Sequence, residues 1–396
     1  MKTILIYSES DLSRDPRVVR QILTLKKRYK IVALGTKAPL VDKIRYIQIE
    51  SHGIAAGTPG KFLSLLKLRG LPYALAYATC WAFERLLIFY PLKDFLERKV
   101  LRRKSGAKIS AIKSDLIIAN DLSALSICTA NAMGRPILYD AHEYSPGQYT
   151  RNRKTLGRRK YAIYILYKYL RNTAGFLTVG RKIAERYILE YGVEPVLLTN
   201  APEYQELVPS TSNPERIRLV HHGIAARGRA LENMIKTVKL LDNRFSLDFY
   251  LMSNDPGYLD ELKMQAKGDA CVRFLTPVSM DKIASTLNAY DVGIYLLPPT
   301  SVNQKLALPN KIFEFIQARL AIAVGPSPEM STLIRERGIG VVASSFSPES
   351  MASALQTLDA KKIEVFKKNS NQCARELSSE TNARILHTVV EQILKE

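Results

Sequence analysis

The sequence predicts an α/β protein built from parallel sheets in two domains. The chain begins with an apolar strand at 3–7, an amphipathic helix at 16–28 and a second apolar strand at 31–34. This strand–helix–strand order favours parallel pairing of the strands. At 396 residues the chain is long enough for two or three domains, and its 46% hydrophobic and 24% charged residues are ordinary for a globular protein.

The loop after the first strand carries three charged candidates, Arg14, Asp15 and Arg17. In parallel sheets, ligands bind beyond the carboxyl ends of the strands, which is where this loop lies. The segment has no Gly-x-Gly-x-x-Gly pattern, so we do not expect a dinucleotide site here. The alternative interpretation is a helix cap with a local Asp–Arg pair.

An apolar and aromatic segment at 62–90 precedes a run of basic residues. No uninterrupted stretch reaches the length of about 20 residues that a membrane-spanning helix needs. An apolar helix beside cations predicts a segment that lies on an anionic membrane surface. The alternative is a buried helical hairpin with a solvated basic edge. The basic residues are Lys93, Arg98, Lys99, Arg102, Arg103, Lys104 and Lys108.

A second basic run, at 151–171, has tyrosines interleaved and no acidic residue. Cations with interfacial tyrosines suit a lipid headgroup region, although they also suit nucleic acid. We favour the membrane or a lipid-linked acceptor that carries its own phosphate, and the alternative is a solvated helix face. Nucleic acid is not expected as a partner.

Three ionisable residues, Asp140, His142 and Glu143, follow the strand predicted at 137–139. A histidine at the carboxyl end of a central parallel strand can donate to a sugar hydroxyl or a phosphate, and a neighbouring carboxylate can hold its tautomer. The sequence therefore predicts a catalytic group here. A structural histidine is the alternative.

The second half of the chain opens after a predicted linker at 202–214 with a strand at 217–221 and a Gly–Arg loop. Gly223 permits close approach of the backbone to a ligand, and Arg227 or Arg229 can reach a diphosphate with a fixed fork of donors. Further strands are predicted at 247–252, 272–275 and 292–296.

A helix predicted at 311–320 begins after Pro309, with a buried strand at 321–324 behind it. Asn310 is predicted as its N-cap, and the free amides and dipole of the first turn favour an anion. Lys311 adds a cation for a phosphate, and Glu314 can accept two hydroxyls, as from a ribose. The alternative is an ordinary amphipathic helix with a charged end.

The order of these motifs resembles the retaining glycosyltransferases of family 4. The resemblance rests on Tyr290-Asp291-Val292-Gly293-Ile294, the run from Pro309 to Phe315, the strand at 321–324 and Pro328-Glu329. It implies the GT-B fold, in which two Rossmann-like domains with parallel sheets face each other across a cleft. It also implies an acceptor domain at 1–200, a nucleotide-sugar domain at 215–375 and a helix at 376–396 that returns to the first domain.

The same resemblance implies the roles of the candidate residues. Asp140, His142 and Glu143 match the family's Asp-x-His-Glu pattern, with the histidine near the transferred sugar, and Arg14, Asp15 and Arg17 face the cleft. The donor, with UDP-sugar expected, is a substrate, and no cofactor is implied. The residues implied in donor binding are Gly223, Arg227, Arg229, Asn310, Lys311 and Glu314.

One position departs from the family pattern. Many members have two glutamates separated by seven residues, and Leu306 stands where the first would be. Asn303, Gln304 or Asn310 could replace that carboxylate. The chain has no Asp-x-Asp pair, so we expect no metal, with cationic side chains in its place.

The expected activity is transfer of a sugar, with retention, to a glycan or lipid-linked acceptor in the synthesis of a cell-surface polysaccharide or glycolipid. A net charge of +21 indicates a polyanionic partner, and four scattered cysteines without a Cys-x-x-Cys pair indicate a reducing compartment. We expect the protein in the cytoplasm, peripheral on the cytoplasmic face of the membrane. The alternatives are a nucleotide-sugar epimerase of the same fold and a non-catalytic polyanion-binding protein.

Overall fold

The computed structural model describes residues 1–50, 71–86, 89–149, 155–253 and 255–395. The chain divides into two compact units. Unit 1 comprises Met1–Leu198 with Ala383–Glu396, and unit 2 comprises Thr199–Asn382. The segment at 202–214, predicted as a linker, carries no helix and belongs to unit 2. Residues 62–70, 87 and 88 of the apolar segment predicted at 62–90, and the basic residues at 151–154, lie outside the described residues.

Unit 1 is built on a parallel sheet of seven strands in the order β3-β2-β1-β4-β5-β6-β7. Strands β1, β4 and β5 occupy its centre and are buried along their length, except for Thr3 at the start of β1. Their continuous apolar runs are those of a sheet covered on both faces. The strands are β1 (Thr3–Tyr7), β2 (Lys30–Gly35), β3 (Arg45–Gln48), β4 (Leu116–Asn120), β5 (Ile137–Ala141), β6 (Gly175–Thr178) and β7 (Val196–Leu197).

The helices of unit 1 follow the expected parallel crossovers. The first ends at Leu25, three residues before its predicted end, because Lys26 forms the C-cap. Its apolar stripe of Val18, Ile22 and Leu25 is fully buried against the sheet. The helices are α1 (Pro16–Leu25), α2 (Leu71–Leu86), α3 (Tyr90–Leu96), α4 (Arg103–Ala111), α5 (Asp121–Ala130), α6 (Leu156–Tyr169) and α7 (Arg181–Tyr191).

Two of the seven basic residues after the apolar segment, Lys93 and Arg102, are buried, whereas Lys99, Arg103 and Lys104 are exposed as predicted. Lys93 is 1% exposed and lies 3.3 Å from Glu97, while Arg102 is 6% exposed. Arg98 and Lys168 both reach the buried carboxylate of Asp94, at 3.2 and 2.9 Å. A charge buried in protein needs an opposite charge beside it, and these lysines and arginines supply it.

The packing of the surrounding helices buries part of this region, as the alternative interpretation expected. Helix α2 packs against α6, and Tyr161 and Tyr169 of α6 bond to Glu97 and Asp94 rather than facing a headgroup region. Within the described ranges, no helix combines the length and the apolar character needed to cross a bilayer.

Unit 2 has a parallel sheet of six strands in the order β10-β9-β8-β11-β12-β13. Alternate residues of its central strands feed two separate apolar clusters, one on each face of the sheet. Ile294 and Ala323 point to one cluster, whereas Ile322 and Val324 point to the other. The strands are β8 (Ile217–Ala225), β9 (Phe245–Ser253), β10 (Val272–Leu275), β11 (Val292–Tyr295), β12 (Ala321–Val324) and β13 (Gly340–Val342).

The helices of unit 2 cover both faces of this sheet. Three elements at 328–373, two helices and the edge strand β13, were not among the sequence predictions. The helices are α8 (Glu232–Lys239), α9 (Pro256–Gln265), α10 (Ile283–Leu287), α11 (Val302–Lys305), α12 (Asn310–Gln317), α13 (Pro328–Arg337), α14 (Pro348–Gln356) and α15 (Ala360–Cys373).

The final helix, α16 (Ser379–Lys395), contributes to unit 1 from Ala383 onward. Its apolar residues Leu386, Val389, Val390 and Ile393 join the cluster that contains β1 and α1. The carboxyl end of the chain therefore completes the core of the unit that the amino end begins.

Candidate functional site

In unit 2 the candidate residues meet where strand β8 passes the first turn of helix α12. Gly223 in β8 has a φ of 128°, which side chains rarely tolerate. A Cβ at this position would lie 2.5 Å from Lys311 Nζ and 3.7 Å from Arg229 Nη1. The absence of a side chain at Gly223 thus makes the space in which Lys311 and Arg229 come together.

Helix α12 is held against the sheet by a close contact with strand β11. A Cβ on Gly293 would fall on the Phe315 ring, so only glycine lets this helix approach so near. Ile312, Phe313 and Ile316 are also 0% exposed. This packing fixes where the first turn of α12, with Lys311 and Glu314, lies relative to the end of β8.

The prediction that Asn310 is the N-cap of this helix is wrong by one residue. Asn310 is already helical, the N-cap is Pro309, and no side chain from the cap bonds to the first turn. Proline has no side-chain acceptor, so the early amides of α12 are not capped in this way. Such amides at a helix N-terminus attract anions.

The electrostatics of this region favour an anionic ligand. Burial and the neighbouring Arg229 cation together lower the pKa of Lys311 to about 8, although Glu314 opposes this shift. Arg229 also donates from Nη1 to the Ile224 carbonyl at 3.2 Å, which orients its guanidinium. Two close cations raise each other's energy, and an anion between them removes that repulsion.

Two histidines in strand β8, His221 and His222, were missed by the sequence analysis. His222 Nε2 lies 3.1 Å from the Glu314 Oε2 carboxylate oxygen, and both side chains are nearly buried. This contact places the carboxylate of Glu314, one turn into α12, beside strand β8. The only available signal was the position of the histidines just before Gly223, since nothing in the sequence pairs residue 222 with residue 314.

His221 lies deeper in the same region. Its Nδ1 bonds to the Ile294 carbonyl at 2.9 Å, and its ring stacks on Tyr295 with centroids 5.8 Å apart. Burial first, and then the Lys311 cation, lower the pKa of His221 well below its ordinary value. The ring is therefore neutral, with Nδ1 as donor.

The structure separates Arg227 from this group. Arg227 is exposed, and its guanidinium bonds to Glu261 at 2.7 Å and to Asp255 at 3.2 Å. Of the two candidate arginines, Arg229 is the one beside Lys311.

Gln304 is one of the residues that could replace the glutamate missing at position 306. It accepts hydrogen bonds from Thr300, so its side-chain oxygen is held at the start of α11.

In unit 1, Asp140 and Arg17 bond to each other inside the protein. Arg17 donates to Asp140 from Nε at 2.8 Å and from Nη2 at 2.6 Å, and Gln21 also donates to this carboxylate. Asp140 is 0% exposed, and its Oδ2 lies 3.8 Å from His142 Nε2. Arg17 also donates from Nη1 to the Leu198 carbonyl at 2.8 Å. This bond connects α1 to Leu198, the last residue of the Met1–Leu198 part of unit 1.

His142 is held at the carboxyl ends of β4 and β5 with its side chain 19% exposed. Its Nδ1 lies 3.3 Å from Asp121 Oδ2, and its Nε2 lies 3.1 Å from Asn120 Oδ1. Asp121 has a φ of 66°, in the left-handed region. Strained residues of this kind concentrate at functional sites, which adds Asp121 to the candidates.

The remaining candidates of unit 1 are placed around this strand edge. Asp15 is the N-cap of α1 and accepts from the Val18 amide at 3.1 Å, as the cap interpretation expected. Arg14 is exposed at the end of a short 3₁₀ turn. Glu143 accepts a hydrogen bond from the Gln148 side chain.

No group of three His, Cys, Asp or Glu side chains suited to a metal ion occurs among the residues that the structure describes.

The architecture matches solved structures at low sequence identity. HepE of Anabaena, crystallised with UDP and glucose, superposes with a TM-score of 0.69 at 13% identity, covering 99% of this chain and 100% of that one. Sucrose-phosphate synthase of Thermosynechococcus elongatus gives 0.67 at 14% identity with full coverage of both chains. WaaG, a glycosyltransferase of lipopolysaccharide biosynthesis, gives 0.60 at 12% identity, covering 98% and 99%.

No protein-family model and no curated protein sequence matches the chain. The two parallel sheets and the structural matches confirm the predicted fold class, GT-B. At this level of identity the likeness concerns the fold.

Proposed function

We propose that the protein is a glycosyltransferase that takes a sugar from a nucleotide diphosphate, with UDP-sugar as the donor. The observation that carries this is the convergence of Lys311 and Arg229 on the open backbone at Gly223, beside the first turn of α12. Support comes from the fold, because HepE, a protein of the same architecture, has been crystallised with UDP-glucose.

The roles follow from the chemistry of each group. Lys311 and Arg229 neutralise the diphosphate together with the amides of α12, and Gly223 lets the phosphates come close to β8. Glu314, held by His222, accepts the two hydroxyls of the ribose. Arg227, paired with Asp255 and Glu261, contributes only through the loop that it stabilises. Asn310 offers its amide to the phosphates from the first helical position.

The reaction forms a bond from an acceptor hydroxyl oxygen to the anomeric carbon and breaks the bond from that carbon to the diphosphate oxygen. The nucleoside diphosphate leaves with the electron pair, and the hydroxyl proton passes to the departing phosphate oxygen. The acceptor hydroxyl attacks the anomeric carbon from the same face that the diphosphate leaves. The anomeric configuration is therefore retained without a covalent intermediate. Lys311 and Arg229 stabilise the negative charge that develops on the leaving group, so that no metal ion is required. Electrostatic stabilisation of this kind usually lowers the barrier more than any other single effect.

Unit 1 is proposed to present the acceptor, a glycan or a lipid-linked sugar in the synthesis of a cell-surface polysaccharide or glycolipid. His142 is the side chain that touches the reacting groups, with Asp121 and Asn120 holding its ring. Glu143 is proposed as an adjacent carboxylate of this site. Asp140 and Arg17 position the strand edge, and the loop of Arg14 and Asp15 borders the acceptor.

The first experiment tests donor use. Thermal unfolding is measured with a panel of nucleotides, and turnover is measured with the matching nucleotide sugars. We expect UDP to raise the melting temperature. Lys311→Ala should weaken UDP binding at least tenfold, whereas the matched control Lys263→Ala, on the exposed face of α9, should not.

Two results of this experiment contradict the proposal. If no nucleotide shifts the melting temperature and Lys311→Ala equals the control, there is no donor site at α12. If a UDP-sugar is converted to its epimer without any acceptor, the enzyme is an epimerase of this fold instead.

We also propose that the protein acts as a peripheral protein on the cytoplasmic face of an anionic membrane. Helices α2 and α3, with Phe89 just before α3, expose large apolar side chains, and Lys99, Arg103 and Lys104 are exposed in the segment that follows. Flotation with phosphatidylglycerol vesicles tests this, and binding should weaken in high salt. The exposed apolar residues are Leu71, Leu75, Phe89, Leu92 and Phe95.

A matched pair of double variants isolates this surface. Leu92→Ser with Phe95→Ser removes two apolar side chains from α3, and Ile188→Ser with Leu189→Ser removes two exposed ones from α7. Only the first pair should reduce vesicle binding. Equal binding by the two variants, or binding to neutral vesicles as strong as to anionic ones, would contradict the proposal.

A further inference from the structure

A cavity of about 320 Å³ lies within unit 1, next to the His142 site. Asp121 belongs to both, because it is one of the residues that line the cavity and its Oδ2 lies 3.3 Å from His142 Nδ1. The cavity is at the small end of the range of about 300–1,000 Å³ that ligand pockets span. Its size suits one sugar ring rather than a nucleotide or a lipid chain.

Four of the charged side chains that line this cavity are paired with one another. Arg102 lies 2.6 Å from Glu9 on one side and 2.6 Å from Glu97 on the other, and Lys93 is 3.3 Å from Glu97. Burial alone would raise the pKa of Glu97, but Arg102 and Lys93 outweigh it and hold the pKa below its ordinary value. Asp121 and Arg158 also line the cavity, so its three acids and three bases leave no net positive charge on the wall for a phosphate or carboxylate ligand.

The same wall carries neutral groups that suit hydroxyls. Ser123 and Ser126 lie one turn apart on α5 and both line the cavity, and Gln148 and Tyr149 line it as well. Ion pairs and serine hydroxyls both accept and donate hydrogen bonds, as the hydroxyls of a sugar do. Aromatic side chains add apolar contact for the C–H groups of the ring.

We propose that this cavity is the acceptor subsite and that it takes an uncharged pyranose, the terminal sugar of the acceptor, with the reacting hydroxyl at Asp121 and His142. This inference rests on the proposed function, and it names the acceptor's chemistry: a neutral sugar ring rather than a phosphate group. Asp121 fits this role, because it lines the cavity and its carboxylate lies beside the histidine.

Binding of simple sugars to the full chain tests the proposal. The probes are methyl glucoside, methyl galactoside and methyl N-acetylglucosaminide, with glucose 6-phosphate as the charged comparator, each followed by saturation-transfer NMR in the presence of UDP. We expect at least one neutral glycoside to give a signal and to compete with the others, and glucose 6-phosphate to bind at least fivefold more weakly.

Variants that fill the cavity locate the binding. Ser126→Leu and Ser123→Leu each add an apolar side chain to the wall, and neither serine makes a side-chain bond to another described residue. Thr129→Leu is the matched control, because Thr129 is on the same helix, does not line the cavity and bonds only back to the Leu125 carbonyl. The serine variants should lose the glycoside signal at least fivefold, and the control should keep it.

The outcomes separate this inference from the proposed function. If UDP raises the melting temperature but no neutral glycoside binds, or if both serine variants bind glycosides as the wild type does, the acceptor subsite is refuted and donor use stands. Stronger binding of glucose 6-phosphate than of every neutral glycoside also refutes it. If UDP binds to no variant and no wild-type protein, the proposed function fails, and the acceptor assignment fails with it. Each variant's melting temperature shows that it is folded.

Discussion

Lys311 illustrates how a single residue acquires its chemistry from its neighbours. Its amine lies against the backbone at Gly223, next to the Arg229 guanidinium, where burial and a like charge make protonation costly. The pKa of about 8 means that the charge of this site changes within an accessible pH range. An ordinary exposed lysine titrates near a pH of about 10.4 and would not do so.

The affinity for UDP should therefore depend on pH above neutrality. The diphosphate binds the protonated amine, so affinity should be constant near pH 7.5 and should fall by up to about tenfold per pH unit above the Lys311 pKa. Without ligand, the free energy of unfolding should change with pH in the opposite direction. Between about pH 8 and 10.4 the folded state binds fewer protons than the unfolded state, because the Lys311 pKa is lowered only in the folded state. The free energy of unfolding should therefore rise over this range. Calorimetric titration with UDP from pH 7.5 to 9.5 measures the first effect.

Lys311→Arg is the control for this prediction. An arginine keeps its charge throughout the range, so its affinity for UDP should be flat with pH even if its absolute value is lower. A wild-type affinity that does not change up to pH 9.5, or an equal fall in the arginine variant, would show that Lys311 is not the titrating group.

At the scale of elements, the buried contact between α1 and β5 organises the edge of the sheet in unit 1. Arg17 enters from the first turn of α1, binds Asp140 through two nitrogens, and bonds to the Leu198 carbonyl with the third. The Arg17 guanidinium therefore joins helix α1, strand β5 and the backbone at Leu198. Because these bonds hold the end of β5, they also position His142, which lies two residues after Asp140.

Removal of Arg17 should be strongly destabilising. Arg17→Ala leaves the Asp140 carboxylate buried without its charge partner, which costs about 3–5 kcal/mol in comparable cases. Arg28→Ala breaks an exposed pair with Glu391 and should cost at most about 1 kcal/mol. Urea unfolding followed by circular dichroism measures both. Equal losses in the two variants would show that the Arg17–Asp140 pair does not anchor β5.

At the scale of the whole molecule, the two ends of the chain share one core. Val390 in α16 is 0% exposed within the apolar cluster of unit 1, and Gly175 in β6 leaves the space that Ile393 occupies. The last helix therefore belongs to the unit that begins at Met1, although the intervening residues from Thr199 to Asn382 form unit 2.

Val390→Asp should destabilise unit 1 selectively. A carboxylate in an apolar cluster has no partner for its charge, so the loss should be at least about 3 kcal/mol. Val365→Asp, at an exposed site on α15 in unit 2, is the matched control and should cost little. Hydrogen exchange resolved along the chain should show faster exchange in β1 and β4 of the Val390 variant. Unchanged exchange there would contradict the assignment of α16 to the core of unit 1.

The sequence by itself determined the parts of the site that lie within one element. Lys311 and Glu314 are three residues apart, so any helix places them at the same end, and the apolar runs of β1, β4, β5 and β11 predict buried parallel strands whatever their order. The Gly–Arg loop and the Asp-x-His-Glu segment were likewise visible, because strand ends in such sheets carry the ligands.

Only the tertiary structure decided which of these residues act together. The order of strands brings His222 to Glu314, Arg17 to Asp140 and Arg229, rather than Arg227, to Lys311. The tertiary structure also buries Lys93 and Arg102 in ion pairs, whereas the run of basic residues in the sequence predicted that both would be exposed. The physical reason is that these partners are separated by up to 123 residues, and pairing at that distance depends on strand order and packing, on which local spacing carries no information.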